Sequence, residues 1–308
     1  LKQLKLAESF LDDKQELSLF DVVLPLLKMG DRGVPELLLG SCFAIGVGVY
    51  ATAAHIFEPF MQARHRYKPF DPRKEPPTIG EKLDRQSDMT ANKLFEGVDV
   101  NCGAIVLDQA AIRAGQYKLI GFSLVRHVVI FLDDDLAILF LHDDKRRNVN
   151  ADRHPIAILP IIENPKVGDE ITVAGFPGKN NQINFGVVDG KIEGAAWIGL
   201  VASDGVITHK HEVMRDVGHC FYPCIETTAS MLPGHSGGPA ISKETWGVSG
   251  VNSASIGGHG YSVISWAGKA LDWDFELPFD IILGKHSIPS GDPISLRRMA
   301  ECEVIRII

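Results

Sequence analysis

Between Leu37 and Phe57 the chain runs 21 residues without Asp, Glu, Lys or Arg, the length a membrane-crossing helix of about 20 residues requires. Gly40, Gly46, Gly48 and His55 fall inside this run. Glycine weakens a helix interior by about 1 kcal/mol relative to alanine, whereas it suits the tight connection of a hairpin. The segment is therefore read as two strands joined by a Gly turn, and no membrane partner is expected. The same texture recurs along the chain: 30 glycines and 17 prolines punctuate short apolar runs rich in Val, Ile and Phe. Such punctuation predicts an all-β protein with tight turns.

Charge narrows the function. Acidic residues outnumber basic ones 39 to 31, for a net charge of −8, and the compact basic cluster is the short Lys145-Arg146-Arg147 run, so no nucleic-acid partner is expected. The five cysteines, Cys42, Cys102, Cys220, Cys224 and Cys302, are odd in number. Cys220-Phe-Tyr-Pro-Cys224 has no second pair of ligands nearby, so no metal site is predicted. A reducing compartment such as the cytoplasm is expected in preference to a secreted disulfide framework. No secretory signal is read at the start, which begins at Leu1.

Residues 1–33 read as a helical extension: a charged amphipathic start, Leu1 to Leu17, then Phe20 to Met29, interrupted by Pro25. Strand texture runs from Val34 to about Ile264. A polar, Pro-rich stretch at about 60–100 reads as a long surface insertion, and Ala195 to Pro223, carrying His209, His211 and His219, as a loop. Residues 267–308 form a C-terminal extension whose last part, Leu296 to Ile308, is compatible with helix or strand.

The sharpest local signal is Pro233-Gly234-His235-Ser236-Gly237-Gly238-Pro239. A serine flanked by glycines in a tight turn exposes its hydroxyl, and unobstructed backbone N–H groups beside it are able to face a developing oxyanion. A plain turn has the same composition. A hydroxyl nucleophile needs a general base, commonly an imidazole oriented by a carboxylate. Thr52-Ala53-Ala54-His55 supplies an imidazole, a satisfied core histidine being the alternative. Asp135-Leu136-Ala137-Ile138-Leu139 supplies a carboxylate at a strand edge, preferred to Asp133 and Asp134 because it adjoins the apolar run directly.

The three motifs in this order resemble the trypsin/chymotrypsin superfamily of serine peptidases, and more closely its HtrA-like bacterial and organellar branch. Val167-Gly168-Asp169-Glu170, Val173 to Gly178, Gly186-Val187-Val188 and Val248 to Ser255 are similar to further segments of that branch. The likeness covers roughly Val34 to Ile264. It implies two six-stranded Greek-key β-barrels, at 34–150 and 151–266, and a bacterial-type origin. It also implies a triad of His55, Asp135 and Ser236, with an oxyanion hole from the N–H groups of Gly234 and Ser236 and no cofactor. The separation of His55 and Asp135 is longer than usual in the family, which the insertion explains.

Ser230 falls at the expected base of the substrate pocket, with Met231 and Leu232 nearby and Ser253, Ala254 and Ser255, with Gly258 to Gly260, opposite. No acid stands at the base, so a small or medium apolar residue is expected before the cleaved bond of a polypeptide substrate. His235 occupies the position where secreted trypsins carry an aspartate that pairs with a new N-terminus, so activation by that cleavage is not expected. The extensions fit regulation by a partner or neighbouring domain. The rival functions are a catalytically silent module that binds a peptide or partner, and an esterase. The usual esterase order of Ser, acid and His is not the order here.

Overall fold

The computed structural model describes residues 19–30, 34–46, 48–57, 102–107, 119–141, 158–178, 182–188, 191–197, 199–213, 215, 220, 222–256, 261–266, 268–283 and 286–308. The protein is mostly β, with very little helix. The expected insertion at about 60–100 and the amphipathic start expected over Leu1 to Leu17 lie outside the described residues.

The chain enters through one helical turn, α1 (Leu19–Val22), and passes directly into β1 (Val23–Met29). Here the structure corrects the sequence expectation of helix through Met29. Pro25 cannot donate in a helix interior, and β1 is flanked on both sides, by β2 (Pro35–Gly46) and by β4 (Cys102–Leu107). Val23, Leu24, Leu26 and Leu27 are all buried. A strand buried on both faces reads as a continuous apolar run, which periodicity alone does not separate from a helix.

The uncharged run at Leu37–Phe57 forms the end of β2 and β3 (Val49–Thr52), paired antiparallel. With β5 (Leu119–Phe131) and β6 (Leu136–Leu141) the first sheet has the order β1-β2-β3-β6-β5-β4, and β4 returns to β1. In β6 all six residues are buried, because this sheet is wrapped from outside as well as filled from within.

The second half holds β7 (Glu170–Gly175), β8 (Gln182–Val188), β9 (Lys191–Trp197), β10 (Val201–His211), β11 (Cys224–Thr227), β12 (Pro239–Ser242), β13 (Val248–Ile256) and β14 (Tyr261–Ser265). β8 and β9 form a separate hairpin, while the others take the order β10-β11-β14-β13-β12-β7 with β7 pairing back to β10. The segment expected to be a loop at 195–223 contains the 11-residue strand β10. Its alternation of half-buried and exposed positions explains the charged appearance: one face of the strand looks outward.

The C-terminal residues are part of the first core. A short hairpin of β15 (Ile281–Leu283) and β16 (His286–Ile288) is followed by α2 (Leu296–Glu301), capped by the Ser295 hydroxyl, which accepts from Arg298 N–H. Phe275 meets Phe131 edge-on at 6.0 Å between ring centres, and Phe279 meets Phe140 at 5.7 Å. Isolated bridges join Gly46 to Ile305 and Ile161 to Ile307. Arg297 reaches Asp272 and Glu163 together. Large apolar side chains buried in this way stabilise the fold by about 1.5–3 kcal/mol each.

Candidate active site

β3 and β6 are antiparallel neighbours, with Thr52 opposite Ala137. The residues just after β3 therefore meet those just before β6. This register brings His55 to Asp135 across 80 positions of sequence. Ala53 and Ala54 are buried, so the 3-10 turn Ala54–Phe57 that carries His55 lies close on the barrel end. The His55 main-chain N–H donates to Asp135 Oδ1 at 2.9 Å, and its ring Nδ1 lies 3.0 Å from Oδ2 and 3.1 Å from Oδ1. A carboxylate only accepts hydrogen bonds, so the proton of a neutral His55 ring sits on Nδ1, and Nε2 keeps its lone pair.

Asp135 adopts a left-handed conformation, φ 45° and ψ 42°, at the end of a short 3-10 turn. Aspartate enters this region more readily than most residues. Its side chain is 6% exposed and that of His55 36%. Burial pushes the Asp135 carboxyl up, but the His55 charge and ring hydrogen bond, the Ser253 hydroxyl and the His55 N–H together outweigh it and hold it below the ordinary carboxylate range. The second barrel grips the same residue: Ser253 Oγ donates to Asp135 Oδ2 at 2.5 Å, and Ser265 Oγ donates to the Asp135 carbonyl at 3.2 Å. Ser253 also contacts the Tyr222 hydroxyl.

Ser236 sits in the turn that leads into β12. His235 N–H donates to Leu232 O, Gly238 N–H to His235 O, and Gly178 N–H to Pro233 O, at 3.0, 3.0 and 3.1 Å. The Pro233 carbonyl thus points toward Gly178. Because a trans peptide is planar, the following Gly234 N–H points the opposite way. Gly234 has φ +101°, a conformation that favours glycine. The turn is seated on the first barrel, where Ser41 N–H donates to Ser236 O at 2.8 Å and Ser41 Oγ donates to Gly234 O at 3.3 Å. Gly237, at φ +81°, lies so close that a Cβ there would collide with Thr52 Oγ1 and Ser41 O. The Ser236 hydroxyl donates to the Ser253 carbonyl at 3.3 Å.

The remaining expected pocket residues are distributed along this edge. Ser230, Leu232 and Ser255 are exposed and Ala254 is half-buried. The Met231 side chain joins the second barrel's core with Ile171, Val173 and Ile225. Ser253 directs its hydroxyl at Asp135 and offers its main chain to Ser236. Gly258 to Gly260 lie outside the described residues.

Sequence reasoning did not find Tyr222 or Ser41, or the parts that Thr52 plays beneath the serine turn and Ser253 beside Asp135. Thr52 reads in the sequence as the first residue of the Thr-Ala-Ala-His segment, without a role of its own. Its hydroxyl donates to Ser41 O at 2.7 Å and ties β3 to β2 beneath the serine turn.

The model of the trypsin-like peptidase domain matches residues 40–251. The chain belongs to the trypsin-like peptidase family. No curated protein matches it. Among solved structures it is similar to the active form of the Rv3671c protease from M. tuberculosis, at 16% identity and a TM-score of 0.43, over 81% of this chain and 78% of that one. It is also similar to the HtrA-type protease AlgW with a decapeptide, at 14% identity and a TM-score of 0.43, over 82% of this chain and 62% of that one. For a trypsin-like peptidase domain the implied class is serine peptidase and the implied substrates are polypeptides.

Proposed function

We propose that this chain is a serine endopeptidase that works through an acyl-enzyme, with Ser236 as nucleophile, His55 as general base and then acid, and Asp135 as the group that orients His55. The observation that carries the reading is the buried Asp135 carboxylate bonded to both the ring and the main chain of His55, next to a serine turn seated on the same barrel edge. Six-stranded order in each half fits the two Greek-key barrels of this family, one built from β1 to β6 and the other from β7 and β10 to β14.

In this mechanism the Ser236 oxygen attacks the peptide carbonyl carbon as its proton passes to His55 Nε2, and the imidazolium is stabilised by Asp135. The carbonyl electron pair moves onto oxygen, which the N–H groups of Gly234 and Ser236 stabilise; loss of one such donor typically costs about 2.7–4 kcal/mol. Collapse of this intermediate expels the amine, which takes the proton from His55, and water then releases the acyl group by the same route. An extended substrate would add along Asn252 to Ala254. Its N–H would take over the Ser253 carbonyl and free the Ser236 hydroxyl to turn to His55. Ser230, without charge at the expected pocket base, supports a small or medium apolar residue before the scissile bond.

A fluorophosphonate probe tests the chemistry. Covalent labelling of the native chain, abolished in Ser236→Ala, is the expected result; absence of labelling at every pH from 5 to 9 would favour a silent, peptide-binding module. Cleavage profiling with a peptide library addresses the pocket, and strong selection for Arg or Lys would overturn its assignment.

A further inference from the structure

We propose that Tyr222 is a positioning residue, the outer donor of a one-way hydrogen-bond chain that runs from its hydroxyl through Ser253 to Asp135 and sets the basicity of His55. This rests on the catalytic reading above only where turnover is measured.

The direction of the chain follows from counting protons. Asp135 Oδ2 receives both His55 Nδ1 and Ser253 Oγ, at 3.0 and 2.5 Å, and an ionised carboxylate has no proton to give. Ser253 has a single hydroxyl proton, and the bond to Asp135 uses it. In the contact between Tyr222 and Ser253 the remaining donor is therefore the phenol. A phenol that donates must stay protonated. Burial first, and then the Asp135 charge, push the Tyr222 hydroxyl above its ordinary range against the lowering effect of its bond to Ser253, so the phenol keeps its proton.

Hydrogen bonds in series polarise one another in a low-dielectric interior. A Ser253 hydroxyl that accepts from Tyr222 is a stronger donor to Asp135, and a carboxylate that accepts more strongly attracts the imidazolium less. Tyr222 is 6% exposed, in a small cluster with Cys220, Cys224 and Val263, and it directly precedes the short run into β11. The ring is thus held by packing on a segment outside the serine turn. A residue that served packing alone would need no hydroxyl aimed at the serine that shares Asp135 Oδ2 with His55.

The test is Tyr222→Phe, which keeps the ring and removes the donor. In the resting chain, the NMR titration midpoint of the His55 ring should rise by about 0.5 unit, and the acidic limb of the kcat/KM profile should move with it. The value of kcat should fall roughly 2- to 10-fold with KM unchanged, the scale of one hydrogen bond. In a Ser253→Ala background the same substitution should move neither quantity. Equal effects in both backgrounds, or an unmoved midpoint in Tyr222→Phe, would overturn the proposal. If Tyr222→Phe does not fold, 3-fluorotyrosine at position 222 retains the group with a stronger donor and should lower the midpoint, and no change would be fatal. The His55 titration needs no substrate, so its failure is distinguishable from failure of the peptidase reading, which fluorophosphonate labelling reports separately.

Discussion

The two barrels give the site unlike halves. The first contributes its titratable pair, His55 and Asp135, from the ends of two strands already zipped together, Thr52 opposite Ala137. The second contributes a turn without charge, held by backbone hydrogen bonds and by two glycines at positive φ. A pair at the ends of paired strands is brought together by the ladder itself. A turn needs each of its peptides to face the right way, and here the first barrel helps set them through Ser41. The contact between His55 and Asp135 is thus set within the first barrel, with Ser253 and Ser265 of the second bracing Asp135, while the serine turn takes its orientation from docking between barrels.

Breaking the titratable half should have the largest effect. Asp135→Asn leaves the shape but is able to hold His55 in the wrong tautomer, so kcat should fall about 10⁴-fold, measured on a peptide substrate, while the fold survives. Breaking the docking is the next test. Gly237→Ala forces a Cβ against Thr52 Oγ1 and Ser41 O at a φ that L residues adopt at a cost of about 1–2 kcal/mol. Thermal unfolding should show a loss of about 2–4 kcal/mol, with fluorophosphonate labelling lost before the fold. A variant that labels like the native chain would mean that the turn does not depend on the first barrel.

The same contrast explains what was legible in the sequence. Motifs that are contiguous, such as Thr52 to His55 and Pro233 to Pro239, are visible because the chemistry requires neighbours in the chain. Asp135 was visible through its place at the head of an apolar run. Tyr222, and the part that Ser253 plays beside Asp135 as distinct from the pocket wall it was expected to form, were not, because each depends on β13 and the segment before β11 meeting Asp135 across the barrel interface, and no spacing encodes that. β1 was hidden for a different reason. Its burial on both sides erases the alternation by which a strand is read, and Pro25 was taken as a helix break where it is a tolerated strand residue. The tail appeared to be an appendage because its apolar residues are dispersed, yet Phe275, Leu296 and Met299 are as buried as the barrel's own core.

The smallest predicted effect separates the barrels by pH. Each buries one histidine whose ring is held below the ordinary imidazole range: His127 on β5, by burial and the nearby Arg126 charge, and His235 in the serine turn, by burial. His235 is 1% exposed, and neither of its ring nitrogens has a hydrogen-bond partner among the described residues. Above about pH 6.5 such a ring is neutral both folded and unfolded, and pH has no leverage through it. Below that value the unfolded chain binds a proton that the folded chain refuses, so stability declines as pH falls, until the lowered folded-state value is reached. The slope is at most about 1.4 kcal/mol per pH unit for each ring. Unfolding midpoints compared at pH 7.5 and 5.5 should therefore differ less in His235→Asn than in the native chain, and likewise less in His127→Gln. If the turn depends on docking, protonation of His235 should also release it before the barrels unfold, so that in the native chain fluorophosphonate labelling should fall at a higher pH than the unfolding midpoint does. Replacement of His127, which packs against Phe140 and Phe279, should leave that labelling profile in place. A labelling profile unmoved by His235→Asn would show instead that the buried imidazole contributes volume alone, and that the turn is held by its main chain.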